Sequence, residues 1–250
     1  MDAIKTILEH RSIRNYQTKA ISKEVLDIIL QAAIRTSTTG NMQVYSIIVT
    51  QDKKKKAALQ KIHFGQAMIE KAPVLLTFNA DFNRFNKWCK QRKAEPGYDN
   101  FLSFFTASID ALLAAQNAVI AAEAQGLGVC YLGTTTYQAQ KLIEFFNLPK
   151  GVVPVTTLVI GYPASIPELV DRLPAEAVVH YEEYSDYSTE EINLMYAAKE
   201  ALEETKQLLK ENKLETLAQV FTQNRYPKQM NVDFSKLFLE TIKNQEFMNQ

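Results

Sequence analysis

The sequence predicts an α+β fold in which a central mixed sheet is wrapped by helices. Four short runs rich in apolar and β-branched residues are separated from one another by stretches with helical periodicity. Strands dispersed in this way favour a layered sheet with helices on both faces over an all-β architecture. Apolar residues make up 46% of the 250 positions, which is ample for one substantial core.

The first half of the chain alternates helices with strands. Asp2 is placed to cap a first helix, and Ser22 is placed to cap a second. A loop rich in Ser, Thr and Gly at 36–41 leads to a predicted strand at 44–50. A second apolar strand is predicted at 74–80.

A lysine run at 53–56 opens the helix that Asp52 is placed to cap. We interpret this run as a solvated first turn, because basic and acidic residues both total 28 and a nucleic-acid surface needs a larger positive excess. The same balance means that no overall field draws the chain to nucleic acid or to an anionic membrane.

An alanine-rich helix is predicted at 106–125, with Gly126 as its C-cap. It is apolar around most of its circumference, so we expect it to be central and buried. Two further strands are predicted at 129–132 and 155–160, separated by a helix at 138–146.

We predict a single domain over 1–250, in which 163–250 forms an extended tail. Within it, a capping box at 188–191 opens a charged helix that runs to about Asn212, and a last amphipathic helix carries Phe234 and Ile242. The tail has too little core to fold alone, so it should pack on its own body or on a partner.

The cysteine content and the amino terminus point to a cytoplasmic protein. Cys89 and Cys130 lie far apart and match no metal-ligand spacing, which favours a reducing compartment. The charged residues Asp2 and Glu9 interrupt the amino terminus, so no signal peptide is expected. We also expect no membrane span, since no run approaches roughly twenty apolar residues.

The stretch from His10 to Arg14 is the richest in chemistry. It offers two guanidinium groups, a hydroxyl and an imidazole within five residues, a set that suits a phosphate. The alternative is that Arg11 and Arg14 only complement the negative end of a helix dipole.

Other candidates lie in loops. Thr38, Thr39 and Gln43 occupy one loop, and glycines 126 and 128 another; both suit a planar ligand, and each is equally ordinary turn chemistry. Arg172 lies in a proline-rich surface segment, where it could simply be solvated.

Several well-known catalytic and nucleotide-binding motifs are absent, which argues against the reaction classes that depend on them. The sequence has no Walker loop, no GxGxxG after a strand, no HExxH and no GxSxG elbow. His63 and His180 show no nearby pattern of metal ligands, so we interpret both as structural and propose no metal. Such a chain is expected to leave its chemistry to a bound organic cofactor.

Several motifs in order resemble one branch of a known family, the oxygen-insensitive NADPH nitroreductase and flavin reductase branch of the nitroreductases. They are HRSIRNY at 10–16, TTGNMQ at 38–43, GQAMIEKAP at 65–73, ADFNR at 80–84, AQNAVIAAEAQGLGVCYLG at 115–133, NLPKGVVP, GYPA, and RLP at 172–174. The resemblance spans nearly the whole chain.

The resemblance implies an FMN site. The FMN phosphate would be held by Arg11 and Arg14, with His10 and Ser12 close by, and by Arg172 as a second arginine. Close relatives carry a lysine two residues before that arginine, where this chain has Val170. The remaining assignments are Thr38, Thr39, Gln43 and Gln66 around the ribityl chain and ring, and Tyr131, Leu132 and Gly133 beside the isoalloxazine, with backbone N–H groups near N5.

The resemblance also implies an activity and an assembly. Arg225 and Lys228 lie where this branch selects the extra phosphate of NADPH. Two subunits would interlock as a homodimer with each FMN at their interface, and the tail would stabilise the dimer. Hydride would pass from NADPH or NADH through flavin N5 to nitroaromatics, quinones or flavins by a ping-pong mechanism. The alternative is a non-catalytic protein that binds flavin or another phosphorylated ligand.

Overall fold

The computed structural model describes residues 2–249, which divide into two units. The first unit contains residues 2–168 and 235–249, and the second is Leu169–Phe234. The stretch 163–250, predicted as one tail, is thus divided between the two units.

A four-stranded sheet forms the centre of the first unit. Its strands are β1 (Tyr45–Thr50), β2 (Val74–Asp81), β3 (Gly128–Tyr131) and β4 (Val152–Gly161), in the spatial order β1-β2-β4-β3. All three pairings of these strands are antiparallel. The mixed character that the sequence predicted is limited, in the described part of the chain, to one isolated parallel bridge between Ser12 and Val129. The α+β class is confirmed.

Helices pack around this sheet. In the first unit they are α1 (Ala3–Leu8), α2 (Lys23–Ile34), α3 (Lys53–Ile62), α4 (Met68–Lys71), α5 (Asn83–Gln91), α6 (Phe101–Ala124), α7 (Thr134–Tyr137) and α8 (Ala139–Phe146). The predicted caps Asp2, Ser22 and Asp52 each accept a backbone N–H of the helix they precede. The helix α5 had not been predicted, although the Asp81 carboxylate just before it accepts the N–H groups of Asn83 and Arg84.

The long helix α6 is buried on one face. Alanines line the buried face, which packs against β2, β4 and α2; Ala107, Ala111, Ala114, Ala118 and Ala122 are fully buried. Small side chains let the helix approach the sheet closely. Gly126 follows with a φ of +75°, as its predicted role at the helix end requires.

The opposite face of α6 is apolar and exposed in the single chain, so the predicted all-round burial is wrong for this face. The exposed large apolar side chains of α6 are Phe101, Leu102, Phe105, Ile109, Leu112 and Leu113. By length and composition α6 is also long and apolar enough to cross a bilayer, which corrects the expectation that no segment is. A core helix has the same composition, and the packed alanine face is that of a core helix.

Lys56 corrects the interpretation of the lysine run. Lys53, Lys54 and Lys55 are exposed, whereas Lys56 is buried. Its Nζ donates to the carbonyl oxygens of Glu70 and Ala72 at the carboxyl end of α4. Burial, and then the nearby Lys53, lower the pKa of this ammonium group. Lys56 therefore stabilises a helix end in the interior.

The second unit contains α9 (Thr189–Glu200), α10 (Glu203–Asn212) and α11 (Leu217–Gln219), followed by a π-helical turn at Val220–Arg225. The predicted capping box of Ser188 and Glu191 is present. The predicted single helix is broken, because Leu202 is extended with a ψ of 140° and the Thr205 hydroxyl donates to Lys199 O.

The last helix, α12 (Lys228–Asn244), begins in the second unit and ends in the first. Its carboxyl half closes the core of the first unit. Ile242 is buried there, and the ring of Phe238 lies 5.9 Å from that of Phe104.

His63 is a core histidine with 0% of its surface exposed. Its Nδ1 lies 2.8 Å from the hydroxyl of Thr134, and its Nε2 is buried without a hydrogen-bond partner. Burial lowers the pKa of His63 to about 4 from the ordinary 6.5. The ring is therefore neutral at physiological pH.

This burial predicts acid sensitivity. The unfolded chain takes up a proton at His63 as the pH falls below about 6.5, whereas the folded chain does so only near pH 4. The contribution of His63 to the free energy of unfolding is thus fully present above pH 6.5. It is lost as the pH falls from about 6.5 to about 4, by up to about 3 kcal/mol. Urea unfolding at pH 7.5 and pH 4.5 should show a smaller acid loss for His63→Asn than for the wild type. Parallel losses in the two proteins would contradict the prediction.

Candidate functional site

A segment of irregular backbone, residues 10–14, docks on the outer edge of β3; this is the docked segment. The Ile13 N–H donates to Val129 O at 2.8 Å, beside the bridge between Ser12 and Val129. This approach requires glycine at 128, because a Cβ there would lie 2.4 Å from Cγ1 of Ile13. The predicted phosphate-binding stretch is consequently held against the sheet.

Two guanidinium groups belong to this docked segment. Arg11 donates from Nε to Glu9 O and from Nη1 to Pro167 O, each at 3.1 Å. The contact with Glu9 O lies at the carboxyl end of α1. Arg11 therefore also complements the negative end of this helix dipole, as the alternative interpretation predicted. Arg14 is exposed. Burial raises the pKa of the nearby Cys130 thiol, and the positive charge of Arg14 partly offsets this rise.

His10 is held by an acid from α6. Its Nδ1 lies 2.6 Å from Oε1 of Glu123, which is partly buried. Burial raises the pKa of Glu123, while His10 and Arg11 act in the opposite direction. Glu123 was not a sequence candidate, although it interrupts the apolar end of α6. It lines a cleft with Arg11, Gly126 and Gly128.

A second group of candidates meets at the carboxyl end of β3. Leu132 is buried, and its N–H donates to Thr157 O at 2.9 Å, so this N–H is already used. Tyr131 donates to Gln116 Oε1, and burial followed by the charge of Glu123 raises the pKa of Tyr131 to about 12.

Gln66 joins this second group from the loop after α3. Its Nε2 donates to His63 O and to Thr134 Oγ1, both at 3.2 Å. Thr134 directly follows Gly133, so the structure brings the candidates at 66 and 131–133 together.

The loop with Thr38, Thr39 and Gln43 is held by a residue that the sequence reading missed. Asp110 of α6 has 0% exposure and accepts the Thr39 N–H at 2.9 Å and the Val44 N–H at 3.3 Å. A single acid in the middle of an apolar helix was the signal that could have found it.

The same loop is irregular and is tied from its far side. Gln43 has a φ of +54°, and its carbonyl accepts from the guanidinium of Arg84. This loop lies on another part of the first unit, since Asp110 and Glu123 are separated by about 20 Å along α6.

The other candidates belong to the second unit. Arg172 is exposed and donates from Nη1 to Val170 O and Asp171 O. Arg225 lies over the ring of Phe221, with its Cζ 5.3 Å from the centroid, and Lys228 is exposed at the start of α12. Across residues 2–249, no cluster of three or more His, Cys, Asp or Glu side chains could hold a metal ion.

Comparison with known proteins places these features in a family. The model of the Nitroreductase family matches residues 7–162, which include the docked segment, both loops and the end of β3. The chain is 36% identical over 186 residues to an FMN reductase (NADPH) of Bacillus subtilis, covering 74% of this chain and 75% of the relative. It is 35% identical over 181 residues to an oxygen-insensitive NADPH nitroreductase of Salmonella typhimurium, covering 72% and 74%.

Solved structures agree. A crystal structure from Bacteroides fragilis superimposes with a TM-score of 0.96 at 49% identity, covering 98% of this chain and 100% of the other. The family match spans more than half of the sequence and includes the strand edge on which the arginine segment docks. The chain belongs to the nitroreductase family.

Proposed function

We propose that this chain is an FMN-dependent oxidoreductase that passes hydride from NADPH or NADH to small organic acceptors such as nitroaromatics, quinones or flavins. One observation carries the proposal: two arginines are held on the edge of β3 within the region that the family model matches. Relatives at 36% and 35% identity are named as an NADPH-dependent FMN reductase and an NADPH nitroreductase.

The residues of the docked segment fit a phosphorylated ligand. Arg11 and Arg14 carry permanent charges, and their fork of N–H donors suits phosphate oxygens. Glu123 would repel a phosphate, but its carboxylate is engaged by His10 at 2.6 Å. We assign Arg11, Arg14, His10 and Ser12 to the phosphate, and Arg172 as a further arginine.

The remaining candidates fit the sugar and the ring. The loop of Thr38, Thr39 and Gln43 and the side chain of Gln66 offer polar groups to the ribityl chain. The end of β3 offers backbone N–H groups, and because the Leu132 N–H is used by Thr157, we assign the donor nearest to N5 to Gly133.

FMN would supply the hydride chemistry at this site, and the protein would supply binding and orientation. The described candidates include no activated nucleophile: the Cys130 thiol is buried with a raised pKa, and His63 is enclosed. The guanidinium groups of Arg11 and Arg14 would hold the phosphate of FMN, and backbone donors at the end of β3 would contact its ring. Donor and acceptor would occupy this site in turn, as ping-pong kinetics require.

For the electron donor, we propose a preference for NADPH, with Arg225 and Lys228 contacting its extra phosphate. Both side chains are exposed cations in the second unit. Arginine and lysine pair with phosphate through charge-assisted hydrogen bonds.

We further propose a cytoplasmic homodimer that contacts itself through the exposed face of α6. Six large apolar side chains are exposed there, from Phe101 to Leu113. Large apolar patches of this kind are typical of subunit interfaces. A partner would also explain why Asp110 and Glu123, which hold the two groups of candidates, lie about 20 Å apart along α6, since two chains can contribute different parts of one site.

A non-catalytic flavin binder is the second candidate, because Val170 supplies no charge where the family resemblance implies a lysine. The two functions differ in one anaerobic experiment. The purified protein should carry FMN, lose its visible absorbance on addition of NADPH, and regain it on addition of a nitroaromatic. FMN that stays oxidised under NADPH would support the binder, and a preparation that cannot be loaded with FMN would refute both.

The dimer can be tested at the centre of the α6 stripe. Ile109→Glu should shift the mass from dimer to monomer in light scattering at micromolar concentration, because it places a charge in an apolar interface. Val49→Glu changes a side chain of similar exposure, 38% against 40%, on the edge strand β1 and should remain dimeric. A monomeric wild type, or a dimeric Ile109→Glu, would contradict the proposal.

A further inference from the structure

His63 has a feature that core packing leaves unexplained. A buried histidine whose Nε2 has no partner is costly, by about 1 to 3 kcal/mol for an unsatisfied polar atom. An apolar side chain would fill the same space without that cost. The other ring nitrogen and the backbone carbonyl of His63 both take part in one hydrogen-bonded cluster.

The cluster joins two segments that are distant in sequence. The imidazole Nδ1 lies 2.8 Å from Thr134 Oγ1, at the start of α7. The Gln66 Nε2 lies 3.2 Å from that same hydroxyl oxygen and 3.2 Å from His63 O. His63 therefore acts on Gln66 twice, directly through its carbonyl and indirectly through Thr134.

These contacts decide which way the Gln66 amide points. A backbone carbonyl can only accept, so the NH₂ group of Gln66 must face His63 O. The Thr134 oxygen can accept the second N–H in either neutral tautomer of the ring, and the low pKa of His63 keeps the ring neutral. Rotating the amide by 180° would set two carbonyl oxygens against each other.

The orientation of the amide leaves one atom for a ligand. Both hydrogen bonds of the Gln66 side chain are donated by Nε2, and the residue is only partly buried. Because Nε2 makes both contacts, Oε1 is the side-chain atom that remains to accept a hydrogen bond from a ligand. An acceptor at this point selects a hydroxyl or N–H donor, which FMN offers in its ribityl hydroxyls and its ring N3–H.

We propose that His63 and Thr134 are positioning residues that hold Gln66 as a hydrogen-bond acceptor toward FMN. This inference rests on the proposed function, since it takes FMN as the ligand. His63 and Thr134 were not predicted to serve the cofactor. Gln66 was, and its amide orientation now makes it a hydrogen-bond acceptor.

A double-mutant cycle on FMN affinity tests the proposal. Thr134→Val removes the hydroxyl and keeps the shape, and it should raise the Kd of FMN about tenfold, the size of one well-placed hydrogen bond. Gln66→Ala should have a similar effect. If Thr134 acts through Gln66, the double variant should bind no more weakly than Gln66→Ala alone.

Rescue variants separate positioning from stability. Thr134→Ser restores the hydroxyl and should restore the affinity, and His63→Asn, which keeps a polar group near Nδ1, should bind FMN more tightly than His63→Leu. Thr241→Val removes a buried hydroxyl bonded to Leu237 O elsewhere in the first unit and should leave the Kd unchanged.

Two failures would be distinguishable. Wild-type protein that binds no FMN would overturn the proposed function and this inference with it. Wild-type protein that binds FMN while Thr134→Val binds equally well, or while the effects of Thr134→Val and Gln66→Ala add fully, would overturn the positioning role alone.

Discussion

One close contact positions the candidate site, the packing of Ile13 over Gly128 at the free edge of β3. The missing side chain at 128 lets the backbone of the docked segment come within hydrogen-bonding distance of Val129. That bond orders the arginine-bearing stretch, which would otherwise be a loop between helices. It also extends the sheet edge by one bridge, so an unpaired strand edge is covered by the segment that we assign to ligand binding.

Helix starts and strand bounds were predicted well, because each is determined by residues that are close together in the sequence. Asp2, Ser22 and Asp52 cap helices because a side-chain oxygen three or fewer residues away satisfies a free backbone N–H, and tertiary context does not alter this. The four strands were predicted within a few residues of their bounds for a similar reason. Their direction was not, because helical connections permit either parallel or antiparallel neighbours.

Several side-chain contacts could not be predicted from the sequence, because their partners come close only in the folded chain. Lys56 belongs to a charged run, yet it is buried because two carbonyl oxygens of α4 lie over it. Asp110 and Glu123 interrupt an apolar helix, but only the fold shows that one holds the 38–44 loop and the other holds His10. In each case, a polar side chain withdrawn from water forms hydrogen bonds with another segment of the chain. For Asp110 and Glu123, that segment carries candidate site residues; for Lys56, it is the end of α4. The polarity of Gln66 follows the same pattern.

The most direct measurement of the central claim is the FMN affinity of Gly128→Ala, with Gly97→Ala as the matched control. A Cβ at 128 collides with Ile13, whereas nothing lies within 4 Å of a Cβ at 97. Overpacking of this kind costs about 1 to 3 kcal/mol and is relieved by moving the docked segment off the strand edge. We expect a Kd for FMN at least about tenfold higher in folded Gly128→Ala, and an unchanged Kd in Gly97→Ala. Wild-type FMN affinity in folded Gly128→Ala would contradict the role of this contact.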